Sequence, residues 1–163
     1  MISNVFISTL IIPTNMILNI FIGLCVIAVT VVLQAVGTSF WLKYLAQNYF
    51  SLSFDDLAKR SKPLLIKTAS FLLLLNFGQS IIWAITYYII PGITEFSTLE
   101  ESIYFSLVTF TTLGYGDITI SSSYRILAGL EAINGVLLLG WSTTMMFSVM
   151  QIIWKKGVKH HQN

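Results

Sequence analysis

The sequence predicts an all-α membrane protein with three transmembrane helices and a re-entrant segment between the second and third. Three observations predict it. The chain of 163 residues is 55% hydrophobic and only 10% charged, where a soluble domain carries roughly 25% charged residues, and its mean hydropathy is +0.79. Long apolar runs begin near Met16, Leu64 and Tyr124, each reaching the roughly 20 residues that a helical span needs. Between the last two lies Thr111-Thr112-Leu113-Gly114-Tyr115-Gly116-Asp117. Two glycines around a tyrosine favour backbone conformations that other residues avoid. Non-helical backbone at membrane depth is tolerated only where protein buries it or where it lines a water-filled path.

Taken in order, residues 1–42 form an N-terminal apolar segment and the first span, with Pro13 marking a break or a helix start. No Lys or Arg precedes Lys43, whereas a cleavable signal needs a basic leading region, so this segment is expected to be retained. Trp41 and Tyr44 fit an interfacial aromatic belt. Residues 43–63 carry Lys43, Asp55, Asp56, Lys59, Arg60 and Lys62. They read as a linker, either a plain polar one or a short surface helix capped at Ser53-Phe54-Asp55-Asp56. Pro63 can open the next helix.

The second span covers 64–90 and stops at Pro91-Gly92; its polar residues Asn76, Gln79 and Ser80 share one face, a pattern of helix packing. Ser97-Thr98-Leu99-Glu100 matches a capping box, so a short helix is expected over 98–110, too short to span. The glycine segment occupies 111–117, a polar turn follows to Ser123, the third span covers 124–154, and a basic tail covers 155–163. His160 and His161 in that tail read as a solvated end rather than as metal ligands. The lone Cys25 excludes an intrachain disulfide and a CxxC metal site.

Lys43, Lys59, Arg60, Lys62 and Lys67 fall between spans one and two, and Lys155, Lys156 and Lys159 follow span three, leaving only Arg125 on the other side. Basic loops stay in the cytoplasm. The N-terminus is therefore expected outside, the C-terminus inside, and the glycine segment facing outward in the cell (plasma or bacterial inner) membrane. Glu95, Glu100, Glu101 and Asp117 make that outer side acidic, which would concentrate cations.

A cation crossing a membrane needs oxygens to replace its water, and rings of backbone carbonyls can supply them. Thr112-Leu113-Gly114-Tyr115-Gly116-Asp117 resembles the TVGYGD selectivity filter of potassium channels, and residues 64–151 are similar to the two-helix pore domain of small bacterial members. The resemblance implies a pore-domain fold with outer helix, pore helix, filter and inner helix, plus one extra N-terminal span. It further implies a homotetramer around one pore, with potassium as the permeant ion and no organic cofactor. The carbonyls of Thr112, Leu113, Gly114 and Tyr115 and the Thr112 hydroxyl would bind the ion, with Gly116 completing the filter. Thr111, Tyr104, Thr109 and Asp117 would support it, Tyr104 as a candidate partner of Asp117. Leu113 departs from the commoner Val or Ile. Val108 stands where some relatives place a bracing carboxylate.

Glu131 lies inside the third span, where a carboxylate is costly and usually functional. It is expected to accept hydrogen bonds from pore-helix hydroxyls such as Thr109 or Tyr104 behind the filter, the alternatives being an ion pair with Arg125 or a sensor role. On that reading a neutral Gln at 131 would alter inactivation or open probability. Gly135 and Gly140 are candidates for a gating hinge or for close packing of small residues. Val136, Leu139 and Thr143 are expected to line the cavity. The leading reading is a potassium-selective channel and not an enzyme, with membrane lipids but no nucleic acid as further partners. A weakly selective cation channel and a non-conducting accessory subunit are the alternatives.

Overall fold

The computed structural model describes residues 14–49, 54–120 and 124–161. Among them are four α-helices and no strand: α1 (Thr14–Tyr49), α2 (Phe54–Ile89), α3 (Leu99–Phe110) and α4 (Arg125–His161). Three are long and apolar enough to cross a membrane, over Met16–Tyr49, Lys59–Ile89 and Arg125–Lys155, while α3 has only 12 residues. The chain is thus an all-helical, multi-pass membrane protein with a short helix between its second and third spans. Pro13 and the 121–123 part of the polar turn lie outside the described residues.

The helices are longer than the apolar runs that announce them. α2 starts at Phe54, so the charged stretch anticipated as a linker or separate surface helix is the first part of the second span's own helix. Ser53 of the anticipated cap lies outside the described residues. Pro63 does not open α2 but sits inside it. A proline there deprives the Lys59 carbonyl of its amide partner, and Lys59 and Arg60 are exposed, where water can serve that carbonyl. α1 likewise runs past Trp41 to Tyr49. Trp41 is half-buried rather than a free belt residue: its ring stacks on Phe71 at 4.5 Å and its Nε1 donates to Thr68 Oγ1 at 3.1 Å. The basic tail is helical through His161.

The chain divides into two compact units. One comprises, of the described residues, 30–49, 54–79 and 136–161. Its apolar core is Leu45, Tyr49, Leu57, Leu64 and Val149, with Trp41, Tyr44, Leu65 and Ile153 packed around it. Its polar core joins three helices. Gln34 of α1 and Asn76 of α2 both donate to Ser142 Oγ of α4, at 3.0 and 2.8 Å. Gln79 Nε2 donates to Gln34 Oε1 at 2.9 Å. The polar face of the second span is therefore a packing face, as amides inside membranes generally are, and it fastens the first span to the other two.

The other unit comprises, of the described residues, 14–29, 80–120 and 124–135. Here α3 is pinned along α2 by two serines one turn apart. Ser102 Oγ donates to the Ala84 carbonyl and Ser106 Oγ reaches the Ser80 carbonyl, each at 2.6 Å, and both serines are fully buried. Around them Tyr87 meets Phe105 edge-on at 5.4 Å, and Phe96 closes on Phe105 at 5.3 Å. The α3 cap is one residue later than the sequence suggests. Thr98 is the N-cap, its Oγ1 accepting from the Glu101 amide at 3.2 Å, and Glu101 Oε2 accepts from the Ser97 amide at 2.6 Å. Thr98 and Glu101 have the same spacing as Ser97 and Glu100, so two overlapping boxes are available and the later one forms.

Candidate ion-conducting loop

The chain after α3 is held from one side. Thr111 caps the helix with φ of −81°. The amide of Thr112 donates to the Thr109 carbonyl at 2.9 Å, and those of Leu113 and Gly114 both donate to the Val108 carbonyl at 2.9 and 3.2 Å. These bonds turn the amide edge of the loop toward the helix end. No carbonyl of residues 112–116 accepts a hydrogen bond from another described residue, and all of Thr111–Asp117 is exposed on the single chain.

Backbone handedness explains how one edge can be all carbonyl. Thr112, Gly114 and Gly116 have φ of +59°, +54° and +79°, whereas Leu113 and Tyr115 do not enter the positive region. Alternating handedness lines successive amides along one side, and the carbonyls therefore along the other. Glycine takes such angles at little cost. Thr112 does not: for a β-branched residue a left-handed φ is an outlier, of the kind that concentrates at functional sites. Thr112 is the one described non-glycine residue with positive φ. The signal in the sequence was the two-residue spacing of the glycines, extended one step back.

Behind the loop, Tyr104 Oη donates to Asp117 Oδ2 at 2.7 Å, so that anticipated pair is formed. The bond holds the Asp117 carboxyl below the usual carboxylate range and raises the Tyr104 hydroxyl above its own. A cavity of about 320 Å³ lies beside it, lined among others by Tyr104, Val108, Gly114, Asp117 and Arg125. Val108 contributes no polar group there.

Glu131 is fully buried and meets a hydroxyl of the short helix as anticipated, though not that of either residue named for it. Tyr87 Oη donates to its Oε2 at 2.6 Å, and Ser106 Oγ lies within hydrogen-bond distance of its Oε1. Neither Thr109 nor Tyr104 reaches it, and no ion pair with Arg125 forms among the described residues. Ser106 and Thr109 are both hydroxyl residues of α3; the helix turns Ser106 toward α2 and α4, and leaves Thr109 half-buried with its carbonyl on the loop. Tyr87 carried no sequence signal beyond being an aromatic near the end of a span.

Gly135 faces the end of α3, where a Cβ would come within 1.9 Å of the Phe110 carbonyl oxygen. That is the close-packing alternative for this residue. Around Gly140 a Cβ would meet nothing within 4 Å. Val136 and Thr143 are exposed on the single chain and Leu139 is half-buried.

A short capped helix running into a carbonyl-edged loop, set between two membrane helices, defines the class: a membrane ion channel of the re-entrant-loop type. Residues 67–152, over half of the chain, match the family described as ion channel, and the chain belongs to that family. Comparison with curated proteins and with solved structures finds no match.

The Tyr104–Asp117 bond yields a pH prediction. Asp117 is depressed, so the bond contributes fully above the ordinary carboxylate pKa and is lost as pH falls through the lowered one. Tyr104→Phe returns Asp117 toward its ordinary value. Any acid-induced fall in ion flux is then expected at higher pH in Tyr104→Phe than in the parent, as read from flux titrations on the loop's side of the membrane.

Proposed function

We propose that the chain is the subunit of a potassium-selective channel in which four copies surround one filter and potassium passes down its electrochemical gradient. The observation that carries this reading is the backbone of residues 112–116, with alternating φ sign, amides engaged by the pore helix and carbonyls without a partner. One such edge coordinates an ion from one side only; rings of carbonyls that replace the ion's hydration shell need several chains. The carbonyls of Thr112, Leu113, Gly114 and Tyr115 with the Thr112 hydroxyl bind the ion, and Gly116 and Asp117 end the filter. The large apolar residues Ile133 and Leu137, exposed on α4, are available to neighbouring copies. Val136, Leu139 and Thr143 line the cavity. Exposed Phe21, Val32, Val36 and Phe40 on α1 suit contact with lipid. Lys43 near the end of α1, Lys59, Arg60 and Lys62 near the start of α2, and the basic tail support a cytoplasmic side for these segments and an outward-facing filter.

The test is ion flux through purified protein in liposomes. Potassium uptake that exceeds sodium uptake and stops with barium is expected. Equal potassium and sodium flux would make it a weakly selective cation channel, and no flux of either ion an accessory subunit.

A further inference from the structure

The cluster around Glu131 has a proton inventory that assigns the state of the acid. It contains three oxygen–oxygen contacts at hydrogen-bond distance: Tyr87 Oη to Glu131 Oε2, Ser106 Oγ to Glu131 Oε1, and Ser106 Oγ to the Ser80 carbonyl. Each contact needs one proton between its oxygens. Tyr87 and Ser106 bring one hydroxyl proton each, and a backbone carbonyl brings none. The Ser80 carbonyl can only accept, so the Ser106 proton goes there. The Tyr87 proton goes to Oε2. The contact between Ser106 Oγ and Oε1 is left without a donor unless the carboxyl supplies it.

We propose that Glu131 is held as the neutral carboxylic acid, donating from Oε1 to Ser106 Oγ and accepting at Oε2 from Tyr87, and that it acts as a positioning residue for the pore helix. The surroundings agree. From α2 the acid is faced by Tyr87 and from α3 by Ser106; Asn134, buried on α4, lies one turn on, and no described cation pairs with it. An ionised carboxylate there would be a buried charge without a counter-charge, the costly case. The neutral acid instead joins α2, α3 and α4 through directional bonds. Ser106, which accepts from Glu131 and donates to Ser80, precedes by two residues the Val108 carbonyl that holds the Leu113 and Gly114 amides. A shift of Ser106 is transmitted along one turn of helix to the loop.

This assignment reverses the expectation drawn from the sequence for a neutral replacement. A glutamine reproduces the donor and acceptor pattern, its amide donating to Ser106 and its carbonyl accepting from Tyr87. Glu131→Gln is expected to keep the potassium flux and selectivity of the parent. Glu131→Ala removes both bonds and is expected to lower flux by about tenfold or more, since the buried Tyr87 hydroxyl loses its acceptor and Ser106 keeps only the Ser80 carbonyl. The flux arm rests on the potassium-channel reading; an infrared arm does not. At neutral pH the purified parent protein should show the carbonyl band of a protonated, buried carboxyl group, absent from Glu131→Gln. No such band in the parent, or Glu131→Gln as damaging as Glu131→Ala, would overturn the proposal. Should Glu131→Ala not assemble, the infrared band of the parent decides alone.

Discussion

Gly114→Ala is expected to abolish ion flux while leaving the protein in the membrane with its helices intact. Gly114 has φ of +54°, and a Cβ built on it would meet nothing within 4 Å on the single chain. The penalty is therefore conformational. A left-handed backbone costs an alanine roughly 1–2 kcal/mol. Relief comes by returning φ to the negative side, which breaks the alternation through Thr112, Gly114 and Gly116 and rotates a carbonyl out of the edge. Flux in liposomes together with circular dichroism checks it: undiminished flux would show that the carbonyl edge of this loop is not the conducting path.

Gly135→Ala is expected to act through packing, and on assembly before conduction. Its Cβ would sit 1.9 Å from the Phe110 carbonyl oxygen, 2.7 Å from the carbonyl carbon and 3.0 Å from Cα. These are backbone atoms at the end of α3, so no side-chain rotation relieves the clash and the helix itself must move. Overpacking of this kind costs typically 1–3 kcal/mol and occasionally more. The end of α3 also carries the Val108 and Thr109 carbonyls that hold the loop, so the displacement disturbs the loop as well. Lower thermal stability in detergent and loss of flux are expected together. Gly78→Ala, where a Cβ meets nothing within 4 Å, serves as the control and should retain both. A Gly135→Ala protein with the parent's melting temperature would mean that α3 does not seat on α4 at this point.

The two glycines differ in how they could be recognised. Gly114 belongs to a motif whose spacing already states its backbone requirement, so its role is local and readable. Gly135 looks like any small residue in a span, where hinge and packing readings are equally open, and only the Phe110 carbonyl against it separates them. Glu131 shows the same limit. Its position inside an apolar run announces a buried acid, but its partners depend on how α2, α3 and α4 are rotated about their own axes. Ser106 and Thr109 are one turn apart with similar hydroxyls, and only the docking of Ser102 and Ser106 on the α2 carbonyls decides which of them meets the acid. The cap of α3 forms one residue later than the first S-x-x-E match because the sequence holds two overlapping capping boxes. Pro63 misled because proline marks both the start of a helix and a tolerated defect inside one, and hydropathy ended the predicted span where the helix did not end.

By itself, the sequence determined the three spans, the short helix between the last two and the segment Thr111–Asp117. Run length, net polarity and glycine spacing act through local backbone physics and through the solvent, and need no partner. Tertiary structure alone decided that Thr112 shares the left-handed backbone of the glycines, that Glu131 lies between Tyr87 and Ser106, and that Gly135 lets the Phe110 carbonyl approach. The first follows from the hydrogen bonds that tie the loop amides to the end of α3; the other two are contacts between helices, set by rotation and register, and many residue pairings satisfy the same apolar pattern until the helices are packed.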